Sequence, residues 1–243
     1  MFQGAVGMTY EQGGSGRAGR AVQTAVGDTL TLTYRIQNHV ESGLATIESA
    51  GMHADRMLKE FAAYHRRNAE DPWGEFTGYV VPADNDAARI HWLTQLLESN
   101  GISFGMAKEN VKLRGLDYST LTNTNVQIHP GDLLIDAKQP MSSLLQVLMD
   151  PNPELSDSLT YDITTWALPY AYGLEAYAIT STMPETRAWQ WSESEVSLEG
   201  EGPAYAYLLH YQTDSGTPIL ANLLKQGHVV RVAKRPMVID GVT

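Results

Sequence analysis

Apolar positions along this chain follow two rhythms. In the first third they recur every three or four residues: Ile36, Val40, Leu44 and Ile47 are spaced by four, four and three, the stripe that one face of an α-helix requires. This spacing predicts a helix from about 32 to 50, with Asp28-Thr29 as its cap. Gly51 interrupts the run. Beyond it Met57, Leu58, Phe61 and Tyr64, with Asp55 and Lys59 four apart, predict a second helix or a continuation. Asp71-Pro72 ends it, because a residue before proline is pushed out of helical space.

From Thr77 short apolar runs alternate with helical ones. Tyr79-Val80-Val81-Pro82 predicts a strand, Asp84 an N-cap, Ile90 to Leu97 a helix, Gly101 its stop and Ile102-Ser103-Phe104 the next strand. The arrangement returns near the end, with Tyr205 to Leu209 as strand, Ile219 to Leu224 as helix, Gly227 as stop and Val229 to Val232 as strand. Gly101, Ala107-Lys108 and Gly115 map onto Gly227, Ala233-Lys234 and Gly241 at one offset of 126, which marks a duplicated unit. Between the copies lie a strand at Asp132 to Ile135, a helix at Met141 to Met149, the turn Asp150-Pro151-Asn152-Pro153 and the run Tyr161 to Tyr177. Strand-helix-strand units imply a parallel sheet with right-handed crossovers, so the expected class is α/β.

Composition narrows the functions. The net charge of −11 disfavours a nucleic-acid partner. Without cysteine there are no disulfides, no thiolate zinc site and no cysteine nucleophile. No stretch approaches the ~20 apolar residues of a membrane helix, and the first residues lack the basic flank of a signal peptide. The opening segment, running through Met8-Thr9-Tyr10 into Glu11-Gln12-Gly13-Gly14-Ser15-Gly16, resembles a strand and loop from inside a domain. The second copy of the repeat stops at Thr243, where the first continues, and we expect that end to be cut as well.

Candidate chemistry is sparse. None of the seven histidines stands in a helical His-x-x-x-His or His-Glu pair. His129 and Asp132 are three apart, but Pro130-Gly131 between them predicts a turn. His39, Glu41, Glu48 and His53 are too irregular to share a helix face, and Asp84-Asn85-Asp86 lacks the glycine and glutamate of a calcium loop. Gly13-Gly14-Ser15-Gly16 misses the serine-hydrolase elbow by one residue, and no lysine follows it as a phosphate loop would need. Trp166, Tyr170 and Tyr172 are either core or ligand-facing aromatics. Glu11 remains: at the end of a buried strand and before a glycine loop it would be partly desolvated and suited to proton transfer, or it would simply satisfy loop amides.

Gly4-Ala5-Val6-Gly7-Met8-Thr9-Tyr10-Glu11-Gln12-Gly13-Gly14, then Gly27 to Leu32, His39 and Gly43 to Glu48, resemble the end of the catalytic domain of bacterial carboxypeptidase A-like zinc carboxypeptidases. The resemblance implies that residues 1–70 are the C-terminal remnant of that α/β domain, with Glu11 as general base and acid beside the zinc. It also implies a peptide or protein substrate, hydrolysis of C-terminal peptide bonds, and a periplasmic or secreted parent. The family's zinc ligands, a His-x-x-Glu pair and a later His, precede this glutamate. They have no counterpart here, so zinc is expected in the parent and not in this chain alone. Gly78 to Pro82, Gly131 to Ile135 and Tyr161 to Gly173 resemble the extra region of large members, similar to class I glutamine amidotransferase-like domains. Residues 74–243 would then be an accessory α/β domain packing on the peptidase. Amidotransferase activity is excluded by the missing cysteine. The alternative is a non-catalytic ligand-binding or scaffold module.

Overall fold

The computed structural model describes residues 2–11, 20–153, 167–191, 205–209 and 216–235. The chain divides into two compact units, one of residues 1–73 with 138–145, the other of 74–137 with 146–243.

The first unit opens with a small antiparallel pair, β1 (Ala21–Gln23) and β2 (Thr29–Thr31), with Ala21 opposite Thr31. Gly27, at φ +85°, allows the tight return between them. Helix α1 (Leu32–Met52) follows directly, then α2 (Ala54–Glu70). The cap is Thr31, whose Oγ1 accepts the Tyr34 amide at 3.2 Å. Asp28 instead binds the Thr29 amide at 2.7 Å, because β2 carries the chain three residues further before it turns helical. The helix runs through Gly51 and breaks at His53 (φ −111°), and Asp71 ends α2 before Pro72 as expected. Asn68 anchors α2, donating to the Pro140 carbonyl at 3.1 Å and accepting from Ser143 Oγ at 3.0 Å.

The apolar stripe read from the sequence is present on α1, and it is uncovered. Ile36, Val40, Leu44 and Ile47 are 54%, 54%, 61% and 71% exposed. Free helices of this kind gain little from propensity alone and are normally held by burying such a stripe.

The second unit is built on a seven-stranded sheet in the order β6-β5-β8-β3-β7-β4-β9. Its strands are β3 (Gly78–Val81), β4 (Gly105–Ala107), β5 (Val111–Asp117), β6 (Thr122–Ile128), β7 (Leu133–Asp136), β8 (Tyr177–Ile179) and β9 (Thr186–Arg187). Helix α3 (Ala87–Ser99) links β3 to β4; α4 (Ser142–Met149) belongs to this unit from Gln146 on, and α5 (Leu168–Tyr172) and α6 (Gly216–Lys225) follow. Every neighbouring pair is antiparallel. The expected parallel sheet is therefore corrected to a mixed α/β arrangement on an antiparallel one. The physical reason lies in β7, which pairs antiparallel with both β3 and β4. The β3-α3-β4 crossover does bring two strands to point the same way, as its pattern implies, but β7 lies between them and takes their hydrogen bonds.

Other expectations shift or fall away. The cap of α3 is Asp86, not Asp84, and accepts the Ala88 and Arg89 amides at 2.9 and 3.2 Å. Gly101 stops this helix at φ +68°. The strand expected at 102–104 lies at Gly105–Ala107. Of the second repeat copy only helix α6 and the Gly227 stop (φ +79°) form. Residues 205–209 and 229–232 are not strands, and Tyr205, Val229 and Val232 are fully or largely exposed. Their residue types favour β-structure, but among the described residues no ladder partner pairs with them. The expectations for Trp166 and the rest of 154–166, and for Gly241, lie outside the described residues.

The sheet must coil strongly. Ile128 ends β6 and Leu133 begins β7, yet four strand spacings separate them in the sheet order, ~19 Å if the sheet were flat. The link between them is folded by the Asp132 amide donating to the His129 carbonyl at 3.1 Å, which cuts its reach to roughly 14 Å. Coiling brings one face inward, where Val80, Leu113, Val126, Ile128, Leu134 and Ile179 of five strands meet Ala107 of β4 in one buried cluster. Tyr79 points to the other face and donates to Gln146 Oε1 of α4 at 3.2 Å, and α3 buries Ile90, Leu93 and Leu97.

Candidate functional site

In the first unit, Glu11 closes an extended stretch in which Val6, Met8 and Tyr10 alternate and are 67%, 59% and 42% exposed. This is a strand's period of two. The stretch is no strand: among the described residues it pairs with neither β1 nor β2 of the first unit's small sheet. Glu11 is therefore exposed rather than buried at a strand end. The segment is nevertheless held against α1, where Tyr10 Oη and Thr46 Oγ1 share a hydrogen bond of 2.6 Å. His39, Glu41, Glu48 and His53 are all exposed. Among the described residues no group of three or more His, Asp or Glu side chains is placed to hold a metal ion.

The second unit contains a cleft of about 540 Å³ at the carboxyl end of β3. Asp84, Asp117, Asp132 and Glu175 line it together with His129 and Tyr177, and among the described residues no lysine or arginine does. Asp132 is the rigid member: only 3% exposed, it accepts the Ala83 amide at 2.9 Å and the His129 amide at 2.8 Å, tying the β6-β7 turn to the end of β3. The pair His129 and Asp132 thus forms a turn, with Nδ1 3.9 Å from the carboxylate. Asp117 Oδ1 accepts from the amide and hydroxyl of Ser119, each at 2.7 Å. Burial pulls the Asp117 carboxyl upward, but the Ser119 hydroxyl and the Ser119 and Thr120 amides together outweigh it and hold the carboxyl below the usual carboxylate range. Tyr177 donates to Glu175 Oε1 at 2.6 Å. That bond, then burial, then the charges of Glu175, Asp117 and Asp84 raise its phenol well above the ordinary value. The cleft is a place of negative potential.

Of the aromatics singled out from the sequence, Tyr170 has its hydroxyl spent on the Tyr118 and Pro151 carbonyls at 2.9 and 3.1 Å, and its ring meets Tyr118 edge-on. It braces a turn. The sequence marks Asp84, His129 and Asp132 only as a cap and a turn; it does not join them to Asp117 and Glu175, which are far apart in the chain. A local signal that went unread was Asp117-Tyr118-Ser119-Thr120, an Asx turn between the alternating runs of β5 and β6. No helix among the described residues is long and apolar enough to cross a membrane. Compared with known proteins, the chain matches no protein-family model, no curated protein and no solved structure.

Proposed function

We propose that this chain is the C-terminal part of a zinc-dependent carboxypeptidase, in which Glu11 accepts and returns the proton during hydrolysis of a C-terminal peptide bond. The sequence resemblance supplies the chemistry. The observation that carries the reading is the pair of uncovered surfaces on the first unit: the α1 stripe of Ile36, Val40, Leu44 and Ile47, and the alternating Val6, Met8 and Tyr10 beside it. These are the surfaces a helix and a strand present to the rest of a domain. Tyr10, bonded to Thr46, sets the residue before Glu11 against the helix. Zinc is assigned to the parent's own ligands, since the described residues here do not form a set. The second unit is then an accessory domain, in a parent that is periplasmic or secreted.

The test is Glu11→Gln in a form extended upstream to include a His-x-x-Glu segment. Loss of the proton carrier lowers kcat by about 10²–10⁴-fold with zinc content and fold unchanged. Full activity in that variant contradicts the role.

A second reading is favoured by the cleft of the second unit, whose volume suits a small or extended ligand. It makes that unit a non-catalytic binding module, and its test is ligand binding by the chain without metal.

A further inference from the structure

Among the described residues the outer side of β6 is an open sheet edge, and it borders the acidic cleft. The direction of its backbone groups follows from β5. The Arg114 carbonyl accepts from the Thr180 amide at 2.9 Å, and the Arg114 amide donates to Ser181 Oγ at 3.2 Å. Arg114 therefore turns its backbone toward the β8 side. Since alternate residues of a strand bond to opposite sides, Leu113 and Gly115 turn theirs toward β6. Their opposites are Val126 and Thr124, which leaves the backbone N–H and C=O groups of Asn123, Asn125 and Gln127 aimed away from β5. Among the described residues no strand pairs with β6 there.

Edges of this length are normally shielded by a lysine, a proline or a bulge, because unpaired ladder groups recruit another strand. β6 reads Thr-Asn-Thr-Asn-Val-Gln-Ile and pairs with β5 in an unbroken register of seven residues. It has none of those guards. Asn123, Asn125 and Gln127 are exposed, and Thr124, Asn125 and Gln127 form one wall of the cleft. The same cleft is lined by the carboxylates of Asp84 and Glu175, both exposed, and by Asp117 at the end of β5. The occupant must accordingly satisfy a row of backbone donors and acceptors along β6 and bring positive charge to the carboxylates of the cleft.

We propose that the second unit binds an extended peptide bearing lysine or arginine, which pairs with the outer edge of β6 while its basic side chains enter the cleft. Main-chain hydrogen bonds supply affinity in this mode, and the alternate side chains supply specificity. Five to six residues cover the edge, since each advances about 3.4 Å along it. The proposal rests on the cleft as a binding site and is independent of the peptidase reading; it needs neither zinc nor Glu11.

The experiment uses the full chain, metal-free, and a fluorescent hexapeptide alternating lysine and valine, read by polarisation. Controls are the same peptide with glutamate for lysine, and one N-methylated at alternate residues. The lysine peptide binds, the glutamate peptide does not, and N-methylation in the pairing register weakens binding by about tenfold or more, because it removes donors without changing charge. Asn125→Pro deletes an outward N–H that no ladder bond uses and weakens binding about three- to tenfold. Asp84→Asn weakens it about two- to fivefold, and the loss is smaller at high salt. Amide exchange slows at Asn123, Asn125 and Gln127 on binding. Equal binding of the glutamate peptide, indifference to N-methylation, protection confined to other strands, or no binding of the lysine peptide at about 1 mM overturns the proposal.

Discussion

A matched pair of leucine truncations separates the buried from the uncovered surfaces of this protein. Leu134, 1% exposed, lies in the coiled sheet's interior between Val80 and Gly105. Removing its isobutyl group forfeits the transfer free energy and leaves a cavity that a ladder bonded on both sides closes poorly. Leu134→Ala should cost about 2–5 kcal/mol. Leu44, 61% exposed on α1, loses little burial on truncation, and alanine is the better helix former by a few tenths of a kcal/mol. Leu44→Ala should change stability by less than ~0.5 kcal/mol. The assay is urea unfolding with each unit followed through its own amide resonances, so that the two transitions are not averaged. In the upstream-extended form the same Leu44→Ala should cost about 2 kcal/mol or more, because the stripe is then buried. Equal costs for the two truncations in this chain would refute the burial assignment. A Leu44 cost that stays near zero in the extended form would refute the idea that a parent domain covers α1.

Three further outcomes follow from the second unit. Burial raises the Tyr79, Tyr118 and Tyr170 phenols, and the Glu175 bond raises Tyr177. A raised phenol contributes stability that is intact below the unfolded value near 10 and lost as pH climbs toward the folded one; urea midpoints should fall steeply above about pH 10, and a flat profile to about pH 12 would count against these environments. Asp117 has the opposite sign: its lowered carboxyl adds stability above the unfolded carboxylate value that disappears as pH falls through the folded one, so Asp117→Asn should flatten the acid limb of the same titration. A Cβ at Gly78 would sit 2.7 Å from the Ile135 carbonyl and 2.7 Å from Met183 Sδ, and Gly78→Ala should destabilise by about 1–3 kcal/mol in urea; no change would mean that β3 and β7 are less tightly joined than their register implies.

The sequence announced its helices better than its sheet. The stripes of α1 and α2 and the Gly101 stop are local signals, and a 3.6-residue period needs no knowledge of distant partners. Strand neighbours are non-local. Nothing near β3 or β4 in the chain reveals that β7 will insert between them, and the crossover pattern was accordingly read as a parallel pair. The β5-β6 hairpin was missed because its alternation is masked by Asn and Thr on the open side, although Val111, Leu113, Val126 and Ile128 carry it. The cleft was illegible for a related reason: Asp84, Asp117 and Glu175 converge only once the sheet coils. Glu11, by contrast, was singled out by its neighbours in sequence, and it is exposed because the strand-like stretch before it pairs with no strand among the described residues.

The measurement that bears most directly on the central claim is zinc content by elemental analysis together with hydrolysis of blocked dipeptides, on this chain and on the form extended upstream. Zinc and carboxypeptidase activity in the extended form only, abolished there by Glu11→Gln, is the result the peptidase reading predicts. Neither zinc nor activity in either form contradicts it and leaves the second unit's peptide-binding edge as the function to pursue.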